Sequence, residues 1–330
     1  DDDPMSAASE AYPFSSIAGT HVPVMLREVL DLMGACHPMR ILDCCFGGGG
    51  HTRALLESTD ASVVAVDRDP QASARAGELK AKYGDRFEFH SMNYSGIDRL
   101  SVGGFDGILY DLGISSFHVD EGNRGFSFRQ DAPVDMRMDP TTGESAAEFL
   151  EGAPYDDLVA AVREYGEEQN WKRVVHALMS ARGTGRLSRT VSLAQVIEEA
   201  IPERVKRQNR GMHPATKTFQ GIRMWVNQEL EHLRVSLPKA FSMLNEGGRL
   251  LVISFHSLED RIVKRMFREW AGQPVDANDS RSQHDRVVQA KLITRKPCVP
   301  AEDETRANPR SRSARLRALE RLPLERKGEA

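Results

Sequence analysis

Four consecutive glycines, Gly47 to Gly50, stand between a short apolar run ending in an acid (Ile41-Leu42-Asp43) and a stretch from His51 to Glu57 of helical character. Glycine has no Cβ, so its backbone reaches left-handed conformations and passes close beneath a ligand. The opening turn of the helix that follows leaves N–H groups without intrahelical acceptors. A second apolar run, Ser62 to Val66, ends in Asp67. That is where an acid about 20 residues beyond a glycine loop accepts hydrogen bonds from ribose hydroxyls. The order strand, glycine loop, helix, strand, acid implies an adenosine-type cofactor on a Rossmann-like sheet. It leaves the identity of that cofactor open.

Bulk composition sets wide bounds. At 330 residues, 40% hydrophobic and 28% charged, the chain holds one large domain or two ordinary ones. No apolar run approaches the ~20 residues that cross a bilayer, and no basic region followed by an apolar core opens the chain, so neither a membrane span nor an export signal is expected. Residues 1–20, with Asp1-Asp2-Asp3-Pro4 ahead of Met5, read as a disordered leader. The cysteines are Cys36, Cys44, Cys45 and Cys298; none forms a C-x-x-C pair, and adjacent Cys44 and Cys45 cannot make an ordinary disulfide. A reduced, cytoplasmic protein is the simplest reading, with Cys44 and Cys45 as small buried hydrophobes.

Net charge is −4, yet the basic residues cluster. Arg306, Arg310, Arg312, Arg315, Arg317, Arg321, Arg326 and Lys327 crowd the C-terminal stretch, and Arg204, Lys206, Arg207, Arg210, Lys217 and Arg223 a second one. Basic patches on an acidic protein suit a polyanion gripped at one face. They suit a solvated tail and a solvated helix face equally well.

Alternating elements organise the first third. A helix over 24–33 precedes strands at Arg40–Asp43, Ser62–Asp67, Phe87–His90 and Phe105–Asp111, with helices between them, one opened by Pro70 and a short one over Ile97–Leu100. This rhythm predicts a mostly parallel, doubly wound α/β sheet. Residues 112–140 read as a long ordered loop carrying Phe117, Phe126, Phe128 and Met136. Helices without strands follow, at 156–165, 169–181 and 193–200, then one long helix from Thr218 to Leu244. The sheet resumes at 247–255 and a helix spans 258–270. Residues 271–287 read as polar and flexible, 288–294 as a last strand, and the rest as a basic tail that orders only on its partner. The implied organisation is a discontinuous catalytic domain, 21–140 with 214–330, interrupted by a helical insertion over 141–213 for substrate recognition.

Three cofactors compete for the loop. A dinucleotide wants G-x-G-x-x-G, which an all-glycine run matches only weakly. A P-loop wants Lys-Ser/Thr after the glycines, and His51-Thr52 stands there instead. S-adenosylmethionine has no phosphates; it wants a close loop under its amino-acid end, an acid on its ribose and a polar cluster beside the departing methyl.

That cluster follows the fourth strand as Asp111-Leu112-Gly113-Ile114-Ser115-Ser116, at the strand end where open α/β sheets bind ligands. With Arg124 to Phe128, Asp135 to Asp139, His213-Pro214-Ala215-Thr216, Ile253 to Arg261 and Asn308 to Ser313, the chain resembles the bacterial 16S ribosomal RNA cytosine-N4 methyltransferases (the RsmH or MraW family). Further matching blocks are His21 to Met25, Phe46 to His51 and Asp67 to Pro70, so the resemblance covers almost the whole chain. It departs from the family at Cys44-Cys45, at Phe117-His118 (usually Pro-Gln) and at Lys217 (usually Arg).

The resemblance implies S-adenosyl-L-methionine as cofactor, held by Gly47, Gly49, Gly50 and His51 at its methionine end, Asp67 at the ribose, Tyr94 beside the adenine and Asp111 near the sulfonium and amino group, with His118 at a further cofactor-contacting position. It implies methylation of a cytosine amine in the decoding region of 16S rRNA on the 30S subunit or an assembly intermediate. The amine is a poor nucleophile, so positioning and hydrogen-bond acceptors should carry catalysis, with Asp111, Ser115 and Ser116 as candidates. The base must leave its stack. Phe126, Phe128 and the Phe255-His256 pair are candidates to stack on it, and His213, Lys217, Arg310, Arg312 and Arg315 to contact phosphate. No metal is expected, because His213 and His256 lack a third ligand at suitable spacing. The competing readings are a DNA-cytosine or small-amine methyltransferase and a non-catalytic RNA-binding assembly factor.

Overall fold

The computed structural model describes residues 22–34, 39–101 and 103–324. The leader, His21, Cys36 and residues 325–330 lie outside them. The chain forms two compact units, residues 1–113 with 232–330, and residues 114–231.

The first unit is built on a seven-stranded sheet ordered β3-β2-β1-β4-β5-β7-β6. Its strands are β1 (Arg40–Asp43), β2 (Ser62–Asp67), β3 (Phe87–Ser91), β4 (Phe105–Asp111), β5 (Leu244–Ser254), β6 (Ala290–Leu292) and β7 (Arg315–Arg321). Strands β1 to β5 pair in parallel, while β7 runs antiparallel to both β5 and β6. This is the expected Rossmann-like α/β sheet.

Both faces of the sheet are covered, which is why its strands read as continuous apolar runs. Successive residues point to opposite faces. Ile41, Val63, Ala65, Leu109, Leu251 and Ile253 pack on one side with α1 (Leu26–Met33), α2 (Gly50–Ser58) and α3 (Ala72–Tyr83). Leu42, Val64, Val66, Ile108, Leu250 and Val252 face the other way. There they meet Leu233, Leu237 and Phe241 of a helix over Glu229–Met243, and Val263 and Phe267 of another over Ser257–Trp270. Each fully buried side chain of this size contributes about 1.5–3 kcal/mol.

The second unit is helical: α4 (Ser116–Asp120), α5 (Ala146–Gly152), α6 (Tyr155–Val159) continuing into a π-helical turn over Ala160–Tyr165, α7 (Trp171–Ala181), α8 (Thr190–Ala200), α9 (Glu203–Gln208) and α10 (Thr216–Val226). It is wider than the insertion read from sequence, because Phe126, Val134, Met136 and Met138 of the preceding loop belong to the same core as Phe149, Leu178 and Ile222. The long loop is thus ordered by its own apolar residues.

The structure corrects three local readings. The long helix expected from Thr218 to Leu244 is two, α10 and α11 (Glu229–Met243). Gln228 between them is left-handed at φ 50°, and the Asn227 side chain donates to Met136 O (2.8 Å) and accepts from Met138 N (2.8 Å). After α12 (Ser257–Trp270), residues 271–287 are held around Asp279, whose carboxylate takes hydrogen bonds from Arg281, Arg286 and Val275 N. The basic tail is not a tail. It forms α13 (Glu302–Ala307), a 3₁₀ turn over Pro309–Ser313 and β7, which sits between β5 and β6. Arg317 makes a bidentate pair with Asp260 (2.7 and 3.0 Å), and Arg321 donates to the carbonyls of Ser242 and Leu244 where α11 passes into β5. These arginines hold the fold together.

Candidate active site

The glycine loop turns where two of its residues are left-handed, Gly47 at φ 54° and Gly49 at φ 77°. A Cβ on Gly49 would lie 2.8 Å from Phe46 Cζ, so no other residue fits without displacing that ring. Gly49 is the N-cap of α2, whose first turn presents backbone N–H groups at the carboxyl ends of β1 and β2.

Asp67 organises the loop. Its Oδ2 accepts from Gly47 N (2.7 Å) and its Oδ1 from Asp69 N (2.8 Å). Arg75 Nε donates to Gly47 O (3.0 Å) and braces the loop from α3. The backbone leads from β3 directly back to this acid, Met92 N donating to Asp67 O at 2.9 Å. Tyr94 follows in that turn, half-buried, its ring edge-on to Tyr110 at 5.4 Å.

On the other side of β1, Asp111 ends β4. Its Oδ2 lies 3.5 Å from His51 Nδ1, and His51 Nε2 donates to Val24 O at 2.9 Å. With Nε2 carrying the proton, Nδ1 is bare. Burial lowers the imidazole to about 4, so it is neutral at pH 7. Asp111 is pushed up to about 8, first by desolvation and then by Asp43, Glu259 and Glu304. The pair is therefore a neutral acid facing a neutral ring, and no ion pair forms.

Asp43, Glu259 and Glu304 escaped the sequence reading as site residues. Asp43 ends β1 much as Asp67 ends β2; it is buried, accepts from Thr52 Oγ1 (2.6 Å) and is raised to about 6 by that burial. Its position was the available signal. Glu259 caps α12, accepting from Phe255 N (3.0 Å) and His256 N (3.1 Å). Glu304 accepts from Met25 N (2.7 Å) across 279 residues of sequence, which no local pattern announces.

The first unit thus brings together Gly47, Gly49, Gly50, His51, Asp67 and Asp111, while His256 serves locally, its Nδ1 accepting from Leu258 N (3.0 Å) at the head of α12. Arg310 and Arg312 lie exposed on the 3₁₀ turn before β7. Cys44 is buried and Cys45 half-buried; desolvation pushes both thiols well up, so neither is a ready nucleophile. The second unit carries the remaining candidates. His118 Nδ1 accepts from Ser115 N (3.1 Å) and lies 3.3 Å from Ser115 Oγ, which fixes the start of α4 beside the half-buried Ser116. Phe126 packs against the His118 ring, tilted, at 4.9 Å and is buried in the helical core, so it is not free to receive a base. His213 packs on Phe128 at 4.4 Å, and Lys217 lies one residue into α10.

These features fit S-adenosylmethionine: a left-handed glycine turn under a helix N-terminus, an acid at the end of β2, and at the end of β4 a carboxyl that gains from a nearby cation. They offer no side-chain cation for a pyrophosphate within the loop itself. Among the described residues, no helix is long and apolar enough to cross a membrane.

Comparison with known proteins agrees. Three relatives carry the name Ribosomal RNA small subunit methyltransferase H. The one from Granulibacter bethesdensis is 43% identical over 94% of this chain and 94% of its own length. That from Heliobacterium modesticaldum is 42% identical over 92% and 98%, and that from Nitrosococcus oceani 43% over 92% and 97%. The model of the MraW methylase family matches residues 18–322. With that match spanning both units and every element of the site, the chain belongs to the MraW methylase family, and its methyl donor is S-adenosyl-L-methionine.

Proposed function

We propose that this methylase modifies small-subunit ribosomal RNA, placing a methyl group on the exocyclic N4 of a cytosine in the decoding region. The observation that carries the reading is the joining of the glycine loop to both acids: Gly47 N–H on Asp67 at 2.7 Å, and His51, one residue into α2, beside Asp111 at 3.5 Å. The names of the relatives support RNA of the small subunit as the acceptor.

S-adenosylmethionine supplies, when bound, a methyl group on a positively charged sulfur. The chain's part is binding and placement. Gly47 and Gly49 let the backbone lie beneath the amino-acid end, and the α2 N–H groups favour its carboxylate. Asp67 accepts from the ribose hydroxyls while its bonds to Gly47 and Asp69 keep the loop closed. Tyr94 offers an aromatic face to the adenine. Asp111, once ionised beside the cation, accepts a hydrogen bond from the N4 amine and draws its lone pair out of conjugation with the ring. Held by the glycine loop and Asp67, the cofactor would supply its methyl to the amine nitrogen that Asp111 positions, and would leave as the neutral thioether. The excess proton leaves through Asp111 or to water.

Ser115 and Ser116 stand as further acceptors for the amine, although Ser115 also has work within α4. His213, Lys217, Arg310, Arg312 and His256 are assigned to the RNA chain, and His118 to the cofactor, as parts of the same proposal. The enzyme acts in the cytoplasm, where its acceptor is.

The test is a panel of acceptors. The protein is incubated with labelled S-adenosylmethionine and, separately, small ribosomal subunits, naked ribosomal RNA, duplex DNA and free cytidine. Transfer to subunits or their RNA is expected; transfer to DNA or cytidine alone overturns the substrate assignment.

A further inference from the structure

The helical unit holds a half-open cleft unconnected with any assigned residue role beyond His213 and Lys217. Its empty volume is about 460 Å³, open solvent at the mouth included. Ile201, Val205 and Pro214 supply apolar walls, and Met212, large and 42% exposed, stands at the mouth.

The floor is polar in a specific way. Glu168 is only 7% exposed, and its Oε1 accepts from Asn170 N at 2.9 Å. Its second oxygen has no hydrogen-bond partner among the described residues. Lys217, half-buried on the facing wall, has neither a hydrogen bond nor an ion pair among them. An acid and a lysine thus line one small cleft without bonding each other. Asn170 and Asn209 add amides at the rim.

The backbone has been bent to make this place. The chain runs through a π-helical turn at Ala160–Tyr165, then Gly166, then Glu167 in the left-handed region at φ 53°. π-turns and left-handed non-glycine residues concentrate at functional sites. Gly166 is tight against α10: a Cβ there would sit 2.8 Å from Lys217 O. That close approach sets Lys217 beside the 168–170 turn. His213, whose Nδ1 accepts from Ala215 N (3.0 Å), has its ring fixed against Phe128 at the cleft's edge.

We infer that this cleft is a second RNA subsite, which takes one unstacked nucleotide of the substrate chain other than the one methylated. The apolar walls take the faces of the base, Glu168 accepts from a ring or exocyclic N–H at its edge, and Lys217 donates to a neighbouring carbonyl or phosphate oxygen. Sequence-specific reading of RNA works in this way, on single-stranded bases held by their edges. Exposed Arg204, Arg207 and Arg210 on the adjoining segment serve the flanking backbone.

This inference rests on the RNA reading above, and its test separates the two. Lys217→Met and Glu168→Gln, in the full chain, are assayed for methyl transfer to small ribosomal subunits. The KM for subunits should rise roughly tenfold, as loss of one base contact gives. kcat and the calorimetric affinity for S-adenosylmethionine should hold, and Lys217→Arg should restore the KM. Irradiation with 4-thiouridine-substituted ribosomal RNA should crosslink within residues 201–217. Unchanged KM in Lys217→Met with no crosslink in that stretch overturns the subsite alone. A wild-type protein that methylates no RNA overturns the RNA reading and the subsite with it.

Discussion

His51 and Asp111 meet across β1 with Nδ1 and Oδ2 3.5 Å apart, and both are neutral at pH 7. The ring donates through Nε2 to Val24 O, so the acid's proton is the only one available between them. A carboxyl held at about 8 in the free protein is poised to ionise when a cation arrives.

Cofactor binding should therefore release a proton. A sulfonium lowers the Asp111 pKa, so affinity for S-adenosylmethionine should rise with pH up to about 8 and level off above it. Calorimetry at pH 7 in buffers of different ionisation heat should find close to one proton released per binding event. Asp111→Asn should abolish that release; if the mutant releases as many protons as wild type, Asp111 is not their source.

Asp67→Ala removes both the acceptor for the ribose and the clamp on Gly47 N. Binding of S-adenosylmethionine should weaken by ~1–3 kcal/mol. An unchanged dissociation constant would remove the assignment of this acid.

Acid should destabilise the protein through His51. Its folded pKa of about 4 lies below the ordinary 6.5, so the unfolded chain binds the extra proton. Stability from this residue is complete above pH 6.5 and is lost as pH falls toward 4, by about 3 kcal/mol in all. His51→Gln should lose less stability than wild type between pH 7 and pH 5 in urea melts. Parallel losses would mean the ring is not buried neutral.

The C-terminal strand makes a prediction that a solvated tail would not. Ending the chain at residue 301 deletes β7 and leaves β5 and β6 without their shared partner. Such a protein should fail to fold cooperatively. Arg317→Met, a milder lesion, strands Asp260 and should lower stability by ~1–3 kcal/mol. A truncated protein melting like wild type would contradict the structure.

Much of this was legible in the residues. Buried parallel strands announce themselves as apolar runs, and Asp43, Asp67 and Asp111 mark their ends, so β1, β2 and β4 fall where sequence puts them. The glycine loop was readable because its constraint is local: left-handed φ and a ring against the missing Cβ. What stayed hidden depends on partners far along the chain. β7 is rich in arginine because only Leu316, Ala318 and Leu319 need burial, while Arg317 and Arg321 find Asp260 and helix-end carbonyls no pattern could foretell. Glu304 reaching Met25, and Asn227 ending α10 against residues 136 and 138, are tertiary in the same sense.

The most direct measurement is the chemistry of the modified nucleoside. Small subunits lacking the modification are treated with this protein and S-adenosylmethionine, their RNA is digested, and the methylated nucleoside is identified by mass spectrometry against standards. The account expects N4-methylcytidine at one position. Methyl on a ring carbon, on another base, or on no nucleoside at all would contradict it.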